Sequence, residues 1–356
     1  MPGELSLKVG RKHAEEFRRA MIRNCVYDQS RKILAEGEAV FIPILRPPAP
    51  EELVGLEAIS FDLSYFKLKA IEDRPKDLQE TLRSKIPHQF FSAIPKSYDL
   101  VGDIVLLEFL PAELAPYKRE IGDALLHLNP SAKTALLKTG KVEGEYRVPQ
   151  LEVIAGENKF ETVHLEYGVS LKIDLSKAYF SPRLGFERYR VSASVSEGET
   201  VVDMFAGVGP FSILIASKTK AKVFAIDINP DAVRLLQENI RINRLQGDVF
   251  PQCNDVRKAA VHMGGIADHV IMNLPGTSLE FLDAAGEMLK REGGIIHIYI
   301  FTPEEPLKYA EKSFREVADK LFGQYEILSI RVVKAVAPRR WQVALDVRAR
   351  KRQSSD

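Results

Sequence analysis

The stretch from Glu199 to Asn229 constrains the fold more than any other part of this sequence. Its centre reads Val201-Val202-Asp203-Met204-Phe205-Ala206-Gly207-Val208-Gly209-Pro210-Phe211. A β-branched run into Asp203, glycines flanking one residue, then Pro210 and an apolar periodic segment to Ala216 predict a buried strand, a tight turn and a helix. The turn is where a ligand would sit. Gly207 and Gly209 permit positive φ and close approach, and Pro210 suits the first turn of a helix whose leading N–H groups are unpaired. A second strand, Ala221 to Asp227, ends in a carboxylate twenty residues beyond Gly207. That is about the distance at which a doubly wound α/β fold sets an acid against a ribose diol.

Two cofactor classes fit such a turn. A dinucleotide fingerprint continues G-x-G-x-x-G so that pyrophosphate rests on the helix, and here the third position is Ser212. The pyrophosphate reading is weakened accordingly. Asp203 at the strand end suits a cationic ligand, since a carboxylate there receives an ammonium or lies near a sulfonium. S-adenosylmethionine carries both cations. A purely structural tight turn is the alternative for the glycines alone, and Asp227 argues against it.

Composition sets the outer bounds. At 356 residues the chain has room for two or three domains. Cys25 and Cys253 have no CxxC or histidine-rich company, so neither a disulfide framework nor a structural zinc site is expected. The start lacks an apolar signal core and no apolar run reaches the length of a bilayer span, so a cytoplasmic protein is expected. Net charge is +1, but between Arg331 and Arg352 eight Lys or Arg face the single acid Asp346. Such local excess suits either a phosphate backbone or a strand edge blunted by charge.

Residues 1–66 read as a small α/β module with strands at Leu5 to Val9, Ala39 to Leu45 and Leu56 to Leu63 and an amphipathic helix from Lys12 to Asn24. Residues 67–76 are a charged linker. Residues 77–170 form an α+β unit, with a short helix from Leu78 to Lys85, a strand from Asp103 to Leu110 and a mainly helical Pro111 to Leu128. Strands follow at Thr134 to Lys138, Leu151 to Ile154, Glu161 to Glu166 and Val169 to Ile173. From 171 to 350 strands alternate with helices, which implies a parallel sheet. After the opening βαβ come helix Asp231 to Asn243, strands Val249 to Cys253 and His269 to Asn273, and helix Ser278 to Arg291. Strand Ile295 to Phe301, helix Pro303 to Leu321 and strands near Tyr325 to Lys334 and Arg340 to Val347 complete it. The last two strands, with no helix between them, imply an antiparallel hairpin at the sheet's edge. Residues 351–356 are a tail. This is the outline of a class I (Rossmann-like) methyltransferase.

Taken together, Asp203-Met-Phe-Ala-Gly-Val-Gly-Pro-Phe, Asp227-Ile-Asn-Pro, Ser181-Pro-Arg-Leu with Glu187-Arg188, and Asn273-Leu274-Pro275 resemble the archaeal and eukaryotic tRNA (guanine-37 N1)-methyltransferases. The motifs are specific jointly rather than singly, and the resemblance covers most of the chain. It implies an N-terminal module that holds the tRNA elbow while the remainder grips the anticodon stem-loop. It also implies methyl transfer from S-adenosylmethionine to N1 of guanosine 37 by a monomer with no metal. The wybutosine aminocarboxypropyl transferases share the fold and cofactor, and some archaeal members methylate a wyosine precursor at C7, so the reaction stays open among these. A nicotinamide dehydrogenase and a catalytically silent tRNA-binding protein are the rivals from other classes.

Guanine N1 carries a proton at neutral pH, so a carboxylate is needed as general base, and Glu187 is the residue the resemblance supplies. Negative charge then builds on O6, where a guanidinium stabilises the transition state, and Arg147 is the matching position. Arg188 would hold Glu187 or the cofactor. Asn273, stiffened by Pro275, would fix the base edge or the methionine carboxylate, and Tyr179 would order the cofactor and close the pocket. The cofactor's amino-acid end is assigned to Asp203 beside Phe205, Gly207 and Gly209, its ribose and adenine to Asp227 and Ile228, and its adenine also to Asp255 and Val256. The target base is expected to flip out of its loop. One at a time each residue also has a plain reading: a surface ion pair for Glu187-Arg188, a strand-end cap for Asn273, a half-buried aromatic for Tyr179, a surface arginine for Arg147.

Overall fold

A computed structural model describes residues 3–70, 77–140 and 149–352. The chain divides into two compact units, residues 1–80 and 81–356. The division lies beyond the start of the expected linker 67–76: Leu68 N–H donates to Glu4 and Ala70 bridges to Arg31, which ties these two residues to the first unit.

The first unit is an antiparallel sheet of β1 (Glu4–Gly10), β2 (Leu34–Glu36), β3 (Ala39–Pro43) and β4 (Phe61–Phe66) in the order β2-β3-β1-β4. Helix α1 (Ala14–Arg23) packs Phe17, Ala20 and Met21 against Leu7, Val9, Val40 and Ile42. Leu56 to Ser60, expected as strand, is a turn closed by Leu56 N–H to the Leu53 carbonyl and Ile59 N–H to the Leu56 carbonyl. Those local bonds leave the ladder to begin at Phe61, opposite Val9. Helix α2 (Leu78–Leu82) spans the division.

The second unit opens with a four-stranded sheet of β5 (Asp99–Val101), β6 (Ile104–Leu107), β7 (Thr134–Lys138) and β8 (Leu151–Gly156), covered by α3 (Lys118–Leu128). The hairpin β9 (Glu161–Glu166) and β10 (Val169–Asp174) follows. Then come α4 (Gly185–Ser194), β11 (Thr200–Asp203), α5 (Pro210–Lys218), β12 (Lys222–Asp227), α6 (Pro230–Ile242), β13 (Asp248–Cys253), α7 (Val256–His262), β14 (His269–Met272), α8 (Leu282–Met288), β15 (Gly294–Thr302), α9 (Pro306–Leu321), β16 (Phe322–Ala337) and β17 (Arg340–Lys351). The large sheet runs β13-β12-β11-β14-β15-β17-β16, parallel through β15 and antiparallel at β17 and β16, as the alternation implied. Its strand order reverses between β11 and β14, the point where open α/β sheets leave a crevice at their carboxyl ends.

One core joins Val101, Ile104, Leu106 and Leu136 to Val169, Leu171, Ile213, Leu214 and Leu236, across the boundary expected at 170. Side-chain amides reinforce it. Asn239 on α6 accepts from Lys172 N–H at 2.7 Å and donates to its carbonyl at 3.1 Å, and Asn243 does the same to Ser170 at 2.8 and 2.7 Å. Two asparagines one helical turn apart thus stand in for a neighbouring strand along the edge of β10. The expected single helix Ser278 to Arg291 is a 3-10 turn (Ser278–Phe281) followed by α8, which stops because Leu289 turns extended to bridge Ala267. Helix α7 was not read from the sequence, although Asp255 caps it. Among the described residues no helix is long and apolar enough to cross a membrane.

Candidate active site

The carboxyl ends of β11, β12 and β14 bring Asp203, Asp227 and Asn273 to the crevice. Between the first two lies the glycine turn. Gly209 holds φ 84°, ψ 30° as the N-cap of α5, and a Cβ there would lie 2.2 Å from Leu236 Cδ1. Gly207, at φ 55°, faces open space, where an added Cβ would meet only the Tyr179 carbonyl at 3.9 Å. Asp227 organises the turn: Oδ2 accepts Gly207 N–H at 2.7 Å and Oδ1 accepts Asn229 N–H at 2.9 Å. Asn229 caps α6 through its Oδ1 and donates from Nδ2 to the Lys177 carbonyl at 2.7 Å, which draws the segment bearing Tyr179 over the turn.

Asp203 is fully buried. Its Oδ2 accepts from Ser212 Oγ at 2.8 Å, while Oδ1 is buried with no hydrogen-bond partner. Burial pushes the carboxyl up to about 7, with the Ser212 hydroxyl opposing the rise and the charge of Asp227 adding to it. An orphaned acceptor beside an open glycine turn fits a ligand that ends in an ammonium. Burial likewise raises Asp227. Phe205 packs edge-to-face on Phe281 at 5.2 Å. Asp255 uses Oδ1 to cap α7, accepting from Arg257 N–H at 2.7 Å, and Val256 is buried in the core behind it. Cys253 Sγ donates to the Ile228 carbonyl at 3.9 Å. Asn273 accepts from Gln342 at 3.5 Å, and the Pro275 carbonyl accepts Phe301 N–H at 2.9 Å, which fastens the loop after β14 to β15.

Glu187 is buried at 3 % exposure inside a cluster of cations. Its Oε1 accepts from Arg331 Nε at 2.9 Å. Its Oε2 takes Arg331 at 3.1 Å, Arg190 at 3.0 and 3.2 Å, and the Tyr299 hydroxyl at 3.1 Å. Burial alone would raise this carboxyl, but the Arg331 bond and the charges of Arg190 and Arg331 outweigh it and hold Glu187 below its ordinary value. Asp346 shares both arginines, with Arg190 at 2.8 Å and Arg331 at 3.0 Å.

Arg188, expected to hold Glu187 or the cofactor, makes no hydrogen bond to Glu187 among the described residues. Its guanidinium, 1 % exposed, forks onto Glu166 at 2.6 and 2.5 Å, donates to the Ser181 carbonyl at 3.2 Å, and lies 5.0 Å over the Phe180 ring. Consecutive helix positions point about 100° apart, so Glu187 and Arg188 meet different elements. Tyr179 is half exposed at the cleft. Beside it Lys334 donates to Ser181 Oγ at 3.0 Å, and burial followed by the charge of Arg183 lowers its ammonium. Arg147 lies outside the described residues. Arg190, Tyr299, Arg331, Lys334 and Asp346 were not singled out as site residues by the sequence reading. The one signal available was Asp346, the only acid in a run of basic residues.

The chain matches the TRM5/TYW2 methyltransferase domain over residues 162–328, the TYW2 N-terminal domain over 78–159 and the tRNA methyltransferase 5 N-terminal domain over 6–52. It is 41 % identical over 345 residues to the tRNA (guanine(37)-N(1))-methyltransferase Trm5b of Pyrococcus abyssi, covering 97 % of this chain and 98 % of that one. This chain belongs to the Trm5 family. The crystal structure of P. abyssi Trm5b has a TM-score of 0.72 at 39 % identity, covering 98 % of this chain and 99 % of that one. A complex of aTrm5 with tRNALeu has a TM-score of 0.70 at 38 % identity, covering 97 % and 99 %. Methanocaldococcus jannaschii Trm5 in complex with adenosine has a TM-score of 0.65 at 36 % identity, covering 98 % and 100 %. A Pyrococcus horikoshii tRNA(Phe) (4-demethylwyosine(37)-C(7)) aminocarboxypropyltransferase is 34 % identical over 76 % of this chain and 95 % of its own.

Proposed function

We propose that this Trm5-family chain transfers a methyl group from S-adenosylmethionine to N1 of guanosine 37 in tRNA. The observation that carries the reading is the Glu187 carboxylate on α4, buried and kept ionised by Arg190 and Arg331. Removing the guanine N1 proton requires such an acceptor. Support for the guanosine over the wyosine reaction comes from coverage, since the match to the aminocarboxypropyltransferase spans 76 % of this chain and the match to Trm5b spans 97 %.

When bound, S-adenosylmethionine supplies an electrophilic methyl on a sulfonium. Asp203 would take its ammonium, Asp227 and Ile228 would take the ribose and adenine, Asp255 and Val256 would border the adenine, and Gly207 and Gly209 would let the backbone come close. Phe205 and Pro275 shape the walls. Glu187 accepts the N1 proton on Oε1, the oxygen with a single donor, Arg331, among the described residues. A carboxyl held below its ordinary value keeps that proton only briefly, so Glu187 returns to the anion between turnovers. Arg147 opposes the charge on O6, Asn273 fixes the base edge and Tyr179 closes over it. Residues 1–80 are the tRNA-elbow module in this reading, and the remainder grips the anticodon stem-loop.

The test is mass spectrometry of an unmodified tRNA transcript after incubation with the enzyme and S-adenosylmethionine, with guanosine or inosine at position 37. A single added methyl at guanosine is expected, and an added aminocarboxypropyl group would overturn the reading. Glu187→Gln should abolish transfer while leaving tRNA affinity nearly intact, and an unchanged rate would remove Glu187 from the chemistry.

A further inference from the structure

Behind Glu187 a buried hydrogen-bonded chain crosses the large sheet. Asp346 on β17 accepts from His297 Nδ1 on β15 at 2.7 Å. His297 Nε2 lies 3.0 Å from His269 Nδ1 on β14, and His269 Nε2 lies 3.1 Å from Glu199 Oε2, ahead of β11. Both imidazoles are 2 % exposed, with centroids 5.3 Å apart and ring planes within 5° of each other. The Glu199 carboxylate reaches solvent, with its side chain 31 % exposed.

Two neutral imidazoles bring two ring protons to three short contacts. One proton serves Asp346 and another joins the rings, which leaves the His269 Nε2 lone pair facing a carboxylate. The third contact is attractive only when the pair holds one proton more. That proton sits between two carboxylates and is coupled through Asp346 to Arg190 and Arg331, the same guanidiniums that clamp Glu187.

We propose that His297 and His269, with Glu199 and Asp346, form a positioning relay that sets the strength of Glu187 as a base by taking up and releasing one proton. The relay rests on the reading of Glu187 as the base. With the extra proton bound, Asp346 is satisfied by an imidazolium, and Arg190 and Arg331 bear more fully on Glu187, which becomes the poorer base. With it released, Asp346 draws on the arginines and Glu187 gains basicity. The charged and titratable groups facing the relay are Asp268, itself paired to Lys290 at 2.6 Å, and Glu199 around His269. Those facing the far end are Arg190, Arg331 and Ser329 around Asp346, and Tyr299 on Glu187. Burial and then the charge of His297 lower His269, against the pull of Glu199, so the proton leaves on the acidic side of the usual histidine range.

The test is single-turnover methyl transfer to an unmodified tRNA transcript between about pH 5 and 8. The unsubstituted enzyme should show a step with a histidine midpoint, rising on the order of threefold. His269→Gln and His297→Gln should lose the step, and Glu199→Gln should move its midpoint to lower pH, because the imidazolium loses its counterion. Retention of the step in both histidine variants, or an unmoved midpoint in Glu199→Gln, overturns the relay. Nitrogen NMR of the imidazoles reads the proton count without activity: three ring N–H protons at low pH and two at high pH are expected, and independent titration of the rings overturns the proposal. If a histidine variant does not fold, Glu199→Gln and the NMR count decide. Glu187→Gln separates the two levels. An inactive Glu187→Gln with an unaltered histidine step in the relay variants removes the relay alone, and an active Glu187→Gln removes the base assignment itself.

Discussion

Arg188 and Glu166 form a buried fork, and its disruption distinguishes a structural clamp from a cofactor ligand. Arg188 is 1 % exposed and the Glu166 side chain 8 % exposed, so neither charge can turn to water when its partner is lost. Burial by itself would raise the Glu166 carboxyl, but the bonds and charges of Arg188 and His164 bring it down to about 2 from 4.5. A carboxyl shifted that far contributes on the order of 3 kcal/mol at neutral pH. The folded-state value is depressed, so the contribution is fully present above the unfolded value of 4.5 and disappears as pH falls toward 2. Glu166→Gln leaves a guanidinium buried against one carbonyl and should cost about 3 to 5 kcal/mol. Replacing both residues, as Glu166→Gln with Arg188→Met, should cost less than the sum of the two single changes, because no unpaired ion then stays buried.

Urea unfolding at neutral pH, followed by fluorescence, measures all three variants, and binding of S-adenosylhomocysteine is read alongside. A clamp predicts a large coupling energy, and it predicts that cofactor affinity in the folded protein follows neither single change specifically. The reasoning is refuted if Glu166→Gln costs under about 1 kcal/mol. It is equally refuted if Arg188→Met loses cofactor affinity that Glu166→Gln retains, because Arg188 would then touch the ligand.

Other outcomes follow from the same geometry. Gly209→Ala should destabilise the second unit by about 2 kcal/mol or more, since φ 84° disfavours a side chain and the new Cβ would lie 2.2 Å from Leu236, and thermal denaturation checks it. S-adenosylhomocysteine, which keeps the ammonium, should bind more tightly as pH rises toward about 7 and level off above it, because Asp203 must ionise to receive the cation. Asp203→Asn should flatten that profile in calorimetric titrations, and a parent profile that is already flat would remove Asp203 from the ammonium site.

Much of the fold, including the turn between Asp203 and Asp227, was legible because local pattern and tertiary role coincide there. The β-branched run before Asp203 and Pro210 each favour one conformation, the two glycines tolerate positive φ, and the structure uses both. The environment of Glu187 was not legible, for a physical reason. Arg190 stands one turn along α4, but Tyr299 and Arg331 arrive from β15 and β16 at separations of 112 and 144 residues, and no periodicity within one element reports those meetings. The same holds for Arg188, which adjacency in sequence pairs with Glu187 and helix geometry pairs with Glu166. The single helix expected from Ser278 to Arg291 failed at Leu289 because a bridge to Ala267 won over helical propensity.

The basic run from Arg331 to Arg352 left two readings open, a charged sheet edge or a guide for a phosphate backbone, and the strand geometry adds a third role. In a regular strand residues three apart face opposite sides, so Arg331 and Lys334 would not reach the same pocket. Arg331 nevertheless meets Glu187, and Lys334 meets Ser181 at the mouth of the same crevice. The register against β17 supplies the reason: Val332 pairs with Val343 and Lys334 with Gln342, so Val333 is an inserted residue. One extra residue reverses the alternation and turns both cations toward the site. Farther along the hairpin, on the interior strand β17, the half-exposed Arg348 pairs with Glu326 and Lys351 with Glu287. A composition count sees one basic segment, whereas the structure sends the part around the bulge to Glu187 and Ser181 and leaves Arg348 and Lys351 at the surface. Deleting Val333 should therefore move Lys334 to the opposite face and uncouple Ser181 while sparing the Arg331 clamp.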